Sequence, residues 1–252
     1  VTLNDGTDDS TTLNNTIEIL NKAPEVDLIF PLDENITTDR TITFNWSVTD
    51  ADSDAYTSHL LVDNDADFSS PIVNITGLTD TNYTSPELDV DTTYWWKVRA
   101  NDSGGYGDWS DVWNFTVESY LAISLIVDTV NFGTIERNHT NDTTDNSPPP
   151  FFIENVGNIY TNITITAEPL FTTGGYPSSY YQFKIRENES SSFDTSLSTM
   201  NWTNMTNSST RKDIVNLDWH NVSDTALTDV KIVVPNNEPF TSKNSTVTFS
   251  AS

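Results

Sequence analysis

Aspartates at alternate positions are the residues whose type and spacing best suit binding chemistry in this sequence. Two segments carry the pattern, nine residues apart: Asp50, Asp52 and Asp54, then Asp63, Asp65 and Asp67. Ca²⁺ takes six to eight oxygen ligands, and a turn with carboxylates at i, i+2 and i+4 supplies several of them. Neither segment has the glycine and distal glutamate of an EF-hand loop. Two interpretations stay open: a Ca²⁺ site in each loop, or aspartates that populate turns and solvate the surface.

Other residue types that carry catalysis are scarce. The chain has no cysteine, which excludes disulfides, thiolate zinc sites and cysteine nucleophiles. Its three histidines are predicted in a strand (His59), in a loop (His139) and in a turn (His220). Hydrolase, metalloprotease and phosphate-binding motifs are missing. Nothing singles out a pair among the 37 acidic residues as a glycosidase pair. We therefore expect no enzymatic activity.

The acidic excess also limits the classes of partner. The net charge is −26, with 37 acidic residues against 11 basic ones. A field of this sign repels phosphate backbones and anionic headgroups and attracts cations. No apolar run reaches the 18 residues that indicate a membrane span. We expect no nucleic-acid partner and no direct membrane insertion.

Asparagine, threonine and serine are strongly enriched and form many glycosylation sequons. With 27 Asn and 64 Ser plus Thr among 252 residues, a shuffled chain would hold about 7 Asn-x-Ser/Thr triplets. The sequence holds 16, at Asn14, Asn35, Asn45, Asn74, Asn82, Asn101, Asn114, Asn138, Asn141, Asn162, Asn188, Asn201, Asn204, Asn207, Asn221 and Asn244. Strand alternation alone also generates such triplets. Dense sequons without cysteine favour N-linked glycans on an extracellular, archaeal cell-surface protein.

The elements that must position these residues are β-strands. In residues 41–48, Ile42, Phe44, Trp46 and Val48 alternate with polar residues, which predicts one buried face. Similar runs recur every 8–15 residues between turn signals, and no long helical stripe appears. The predicted fold class is all-β, with tandem β-sandwiches.

The tryptophans allow a second binding hypothesis. Alternation predicts Trp46, Trp95 and Trp113 in the core, so that Trp96 faces the opposite side of its sheet. Trp96 and Trp109 would then either form a sugar-stacking platform or pack against an adjacent domain or a loop.

One stretch resembles a known family. The opening 23–26, the strand 43–46, the acidic loop 50–54, the run 93–102 and the closing 109–117 are its matching pieces. On these, residues 24–118 resemble a fibronectin type III-like or immunoglobulin-like domain of archaeal and bacterial surface proteins. The resemblance implies a β-sandwich at 23–118 and says little about activity.

The flanking segments complete the predicted organisation. Residues 1–6 read like 98–103, and 16–20 read like the closing strand 113–117. Residues 1–22 are therefore predicted to be the last hairpin of a preceding sandwich, belonging to a longer chain, or a segment donated to a neighbouring molecule. An extended tail is the alternative. Residues 119–252 are predicted to form a second sandwich with strands at 121–127, 130–135, 161–167, 229–235 and 246–249 and a polar insertion at 187–213.

Together these features favour a structural role. The predicted function is a glycosylated subunit of an extracellular filament, sheath or surface layer (S-layer). Copies of the chain would assemble through sandwich contacts, strand addition and Ca²⁺. The alternative is a carbohydrate-binding or adhesion module of a secreted multidomain protein.

Overall fold

The computed structural model describes residues 20–208 and 210–252, together with the backbone of two short paired strands before them. The chain forms two compact units, Val1–Val117 and Glu118–Ser252. In the first unit, β1 (Thr2–Leu3) pairs antiparallel with β2 (Thr11–Thr12). The predicted closing strand at 16–20 lies outside the described residues except for Leu20.

The rest of the first unit is a sandwich of two sheets. One sheet has the order β3-β5-β8 and the other the order β4-β10-β9-β6-β7. The strands are β3 (Glu25–Phe30), β4 (Asn35–Thr37), β5 (Thr43–Thr49), β6 (Thr57–Asp63), β7 (Val73–Leu78), β8 (Asn82–Thr84), β9 (Thr92–Asn101) and β10 (Trp113–Val117). Ladders are antiparallel except for β4, which runs parallel to β10. This is the strand order of fibronectin III and immunoglobulin-like sandwiches, so the fold expected for this stretch is confirmed.

An aromatic core holds the first sandwich together. The predicted alternation in β5 is confirmed, because Ile42, Phe44 and Trp46 are buried. Phe44 packs edge-on against Trp96 and Phe115 at centroid distances of 5.1 and 5.8 Å. Side chains of this size dominate the burial energy of a small core.

The second unit is also a sandwich. A larger sheet has the order β11-β13-β18-β15-β16, with β12 also paired to β18, and a smaller sheet has the order β17-β14-β19. The strands are β11 (Ile123–Val127), β12 (Thr140–Asp142), β13 (Phe151–Asn155), β14 (Thr161–Ala167), β15 (Tyr181–Glu187), β16 (Thr203–Asn204), β17 (Ile214–Leu217), β18 (Thr225–Val233) and β19 (Val247–Ala251). The fold class, all-β with tandem sandwiches, is thereby confirmed.

One predicted strand of this unit is wrong. Residues 130–135 form no strand. Val130, Phe132 and Ile135 nevertheless pack against the core, half-buried. The alternating apolar residues of this segment pack against the core, although the segment is not hydrogen-bonded to a neighbouring strand. Among the described residues no helix is long and apolar enough to cross a membrane.

Candidate functional sites

The first aspartate loop holds the chain at the point where it enters the sandwich. The Asp52 carboxylate accepts a 2.6 Å hydrogen bond from the backbone N–H of Lys22. Asp50 accepts one from the N–H of Asp52 at 2.7 Å, and Ser53 adopts a left-handed φ of 62°. Aspartate commonly closes turns in this way.

The loop at residues 102–105 also holds the chain where it enters the sandwich. Asp102 accepts hydrogen bonds from Asn21 Nδ2 (3.0 Å) and from the N–H groups of Gly104 (2.8 Å) and Gly105 (3.0 Å). The Asn21 hydrogen bond is the main reason that the pKa of Asp102 is lowered, although burial opposes it. A Cβ at Gly104 would lie 2.3 Å from Asn21 Nδ2, so a larger residue there would displace the Asn21 side chain.

In the second aspartate loop, which holds Asp63, Asp65 and Asp67, the carboxylates also accept hydrogen bonds from backbone N–H groups. Asp63 is 1% exposed and accepts a 3.2 Å hydrogen bond from the N–H of Ser70. Asp65 and Asp67 accept from the N–H groups of Asp67 (3.3 Å) and Ser69 (2.7 Å). The loop therefore caps its own backbone.

The six aspartates do not converge on one point. Among residues 20–208 and 210–252, no three acidic or histidine side chains form a cluster that could hold a metal ion. Two carboxylate oxygens, Asp50 Oδ2 and Asp63 Oδ1, are buried without a hydrogen-bond partner. Such oxygens are costly unless a donor or a cation reaches them. Calcium binding by these loops therefore stays a prediction.

The sugar-stacking hypothesis assigned the wrong side to Trp96. Trp96 is fully buried, whereas Trp95 is half-buried on the other face of β9. The charged residues of β9 explain which of the two tryptophans is buried. Trp95, Lys97 and Arg99 occupy every second position and therefore share the outer face. Trp113, predicted in the core, is half-buried and meets Trp96 edge-on at 6.0 Å.

Cations and aromatic rings cover that outer face. Arg99 lies over the rings of Tyr106 (3.9 Å) and Trp109 (4.4 Å), and Lys97 lies 4.0 Å from the ring of Phe68. His59 is in a strand as predicted, and burial lowers its pKa. The Trp109 ring therefore contacts Lys97 and Arg99 of the same sandwich. This agrees with the alternative to a sugar-stacking platform, in which the ring packs within the protein.

The second unit contains a groove of about 880 Å³. One wall is residues 128–137 and the other is residues 238–247. Four core side chains from the larger sheet form part of its lining: Phe151, Tyr181, Val230 and Ile232. The groove is therefore an opening into the sandwich core.

Glu238 fixes the walls of this groove at one end. Its carboxylate accepts hydrogen bonds from the N–H groups of Thr172 (3.0 Å) and Thr173 (2.9 Å) and pairs with Lys243 at 2.5 Å. Its backbone oxygen accepts a 2.8 Å hydrogen bond from Arg137 Nε on the opposite wall. Burial raises the pKa of Glu238, but the hydrogen bonds from Lys243 and the threonines outweigh it and lower the pKa to about 2.

The strand β19 contributes only its first residue, Val247, to the lining of this groove, and among the described residues one of its edges has no partner strand. Ser252 follows β19, and Asn162 lies on the neighbouring strand β14. The backbone N–H of Ser252 donates to the carbonyl of Asn162 at 2.9 Å, and the N–H of Asn162 donates to the carbonyl of Ser252 at 3.1 Å. In an antiparallel ladder the intervening residues point their N–H and C=O groups to the other side. For β19 these are Val247, Phe249 and Ala251. No strand among the described residues pairs with that edge.

Sequence reasoning missed the buried acids of the second unit. Asp213 and Asp229 are 0% exposed, and Glu238 is 2% exposed. Asp229 accepts from Arg186 Nε at 3.1 Å and from Thr143 Oγ1 at 3.1 Å. The only signal in the sequence was the small number of lysines and arginines, because each buried acid requires a partner such as a cation.

The sequon asparagines lie at the surface. Asn14 is outside the described residues, and each of the other fifteen is exposed or half-buried. By contrast, the buried Asn155 and Asn158 belong to no sequon and hydrogen-bond to backbone carbonyls. The three predicted sequons in strands, at Asn45, Asn114 and Asn162, are half-buried on outward positions.

Comparisons with known proteins add little to this geometry. No family model and no curated protein matches the chain. Among solved structures, the FN1-FN3 domains of chicken CNTN1 are 12% identical over 98% of this chain and 75% of that chain, with a TM-score of 0.31. An alpha-L-rhamnosidase from Dictyoglumus thermophilum is 11% identical over 91% of this chain and 27% of that one, with a TM-score of 0.32. The fold is therefore assigned from the strand order of the chain itself: two sandwiches of the immunoglobulin and fibronectin III kind.

Proposed function

We propose that this chain is a glycosylated structural subunit of an extracellular filament, sheath or surface layer. The observation that carries the proposal is that two tandem sandwiches hold fifteen described sequon asparagines, each exposed or half-buried. β-Sandwiches with so dense a set of candidate glycan sites are suited to a structural role outside the cell.

The placement of the sequons supports an extracellular, glycosylated surface. Glycan requires an exposed asparagine; eight of the fifteen described sequon asparagines are exposed and the other seven are half-buried, which supports the proposal. The absence of cysteine together with this sequon density makes an archaeal cell surface our proposed setting. Mass spectrometry of peptides from native material tests this: we expect glycan mass on sequon peptides, and bare peptides throughout would contradict it.

Charge sets the conditions for assembly. Copies that each carry −26 repel one another, so assembly requires a cation, salt screening or specific strand pairing to offset the repulsion. We propose that Ca²⁺ contributes through Asp50, Asp52 and Asp54, and through Asp63, Asp65 and Asp67. The unpartnered oxygens of Asp50 and Asp63 support this.

Electron microscopy of native material with and without a calcium chelator tests the proposal. We expect polymers, and we expect chelation to shorten or dissolve them. Polymers that resist chelation would remove calcium from the account and leave the structural role. Monodisperse particles under both conditions would contradict the structural role and favour the adhesion module.

A further inference from the structure

One sequon of the first sandwich lies beside an ordered group of polar and aromatic side chains. On the outer face of the larger sheet, β6 places His59 opposite Arg99 of β9. The edge strand β7 places Asn74 on the same face, opposite Leu61 of β6. Asn74 is exposed and begins the sequon at residues 74–76. A group attached to Asn74 would therefore start at this face of the sheet.

A chain of hydrogen bonds fixes which way the Asn74 amide is turned. Arg99 Nε can only donate, and it donates to His59 Nδ1 at 3.4 Å. The Nδ1 atom is therefore the acceptor of a neutral imidazole, whose proton is on Nε2. Burial lowers the pKa of His59, which agrees with a neutral ring. His59 Nε2 consequently donates to Asn74 Oδ1, which is 2.9 Å away.

This orientation leaves the amide nitrogen of Asn74 available. Because Oδ1 faces His59, Nδ2 is turned away from it, and Nδ2 is the atom to which an N-linked sugar is attached. In the described part of the chain, no residue accepts a hydrogen bond from Asn74 Nδ2. Five other sequon asparagines use Nδ2 to donate to another oxygen of the chain: Asn45, Asn101, Asn114, Asn138 and Asn188.

An exposed aromatic ring lies on the other side of His59. The centroid of the Tyr106 ring is 6.0 Å from that of His59, and Tyr106 is 46% exposed. The guanidinium carbon of Arg99 lies over this ring, 3.9 Å from its centroid. Trp109 packs behind both, 4.9 Å from the His59 ring and 4.4 Å from the Arg99 guanidinium. The Tyr106 ring is thus held in place before anything packs on it, which lowers the ordering cost of a contact.

We propose that Asn74 carries an N-linked glycan whose first sugars pack on the exposed ring of Tyr106. The inference rests on the proposed glycosylated surface, and it names the sequon whose glycan becomes part of the fold. The C–H face of a sugar suits an aromatic ring, and the Arg99 guanidinium beside that ring can donate to sugar hydroxyls. The ligand of this face is therefore the chain's own glycan.

The covalent step takes place at the Asn74 amide and needs a co-reactant from outside this chain. The co-reactant is an activated sugar whose anomeric carbon is bonded to a phosphate. Asn74 Nδ2 forms a bond to that carbon and loses one proton. The carbon–oxygen bond to the phosphate breaks, and the phosphate leaves with the electron pair. A separate transferase catalyses the step, so no catalytic residue of this chain is required.

Removal of single sequons from the native glycosylated chain tests the proposal. Thr76→Val removes the sequon but leaves Asn74 and its hydrogen bond to His59 in place. Thr84→Val is the matched control, since it removes the exposed sequon at Asn82 on the facing sheet. Each variant is also made without glycan, and its thermal midpoint is compared with that of the glycosylated form.

We expect glycan mass on the Asn74 peptide of the unaltered chain. In the glycosylated chain, Thr76→Val should lower the unfolding midpoint by about 4 °C more than it does without glycan, because the contact with Tyr106 is lost. For Thr84→Val the two shifts should agree within about 1 °C. In a chain with Tyr106→Ala, the extra effect of Thr76→Val should disappear, because the ring on which the sugars pack is gone.

Two results would overturn the proposal. One is a bare Asn74 peptide from a chain whose other sequons carry glycan, which would leave the proposed function intact. The other is a Thr76→Val shift that is the same with and without glycan, or the same with and without Tyr106. Bare peptides at every sequon would contradict the glycosylated surface of the proposed function as well.

Discussion

The strand β9 of the first sandwich and the strand β19 of the second differ in how many neighbouring strands they have among the described residues. In the first, β9 lies between β6 and β10 and its inward side chains are fully buried. In the second, β19 has β14 on one side and an open edge on the other. The difference shows that a strand's burial depends on its neighbours in the sheet as much as on its own alternation.

The two cores also differ in chemistry. The first is dominated by aromatic rings, such as Phe44, Trp96 and Phe115. The second contains both aromatic and aliphatic side chains, and beside them lie buried acids that are paired to cations and hydroxyls, such as Asp229 with Arg186 and Thr143. Aromatic packing tolerates low pH, whereas paired carboxylates lose their partners when protonated.

Matched phenylalanine truncations should give the largest contrast between the units. Phe115→Ala removes a 0%-exposed ring in the first unit and should cost about 3–5 kcal/mol of unfolding free energy. Phe249→Ala removes a half-buried ring and should cost about 1–2 kcal/mol in the monomer. Urea denaturation of the full chain measures both values. Equal costs would mean that β19 is already covered.

Removing a buried acid should destabilise the second unit nearly as much. Asp229→Ala leaves Arg186 without its carboxylate and should cost about 3 kcal/mol. The exposed Asp111→Ala in the first unit is the control and should change stability by about 0.5 kcal/mol or less. A cost for Asp229→Ala as small as that of the control would refute the charged-core description.

Acid should weaken the second unit through Glu238. Its pKa in the folded chain is about 2, below the ordinary 4.5, so its contribution is complete above pH 4.5 and is lost as the pH falls toward 2. The difference corresponds to about 3 kcal/mol. The stability gap between the unaltered chain and Glu238→Gln should therefore shrink over that pH range. A gap independent of pH would contradict the assignment.

The smallest effect is expected on the outer face of the first unit. Arg99→Gln removes the cation from Tyr106 and Trp109 and should cost about 0.5–1 kcal/mol. Thermal unfolding of the variant beside the exposed-site control Asp108→Asn measures it. A loss of several kcal/mol would place this face in the core rather than at the surface.

Much of the first sandwich was predictable because its strands alternate cleanly. The phase of β9 was missed because Trp95 and Trp96 are adjacent, and only Lys97 and Arg99 indicate which one faces outward. The strand predicted at 130–135 failed because alternation reports burial, whereas a strand also requires a hydrogen-bonded neighbour. The tie between Glu238 and Thr172 spans 66 residues of sequence, so no local pattern could predict it.

Amide hydrogen exchange in the monomer, compared between β19 and β9, tests the central claim most directly. Among the described residues no strand pairs with one edge of β19, so we expect fast exchange at Val247, Phe249 and Ala251. Residues 93–100 of β9, which has a partner strand on both edges, should be protected. Equally slow exchange in the two strands would contradict the claim that the protection of a strand depends on its neighbours as well as on its own alternation.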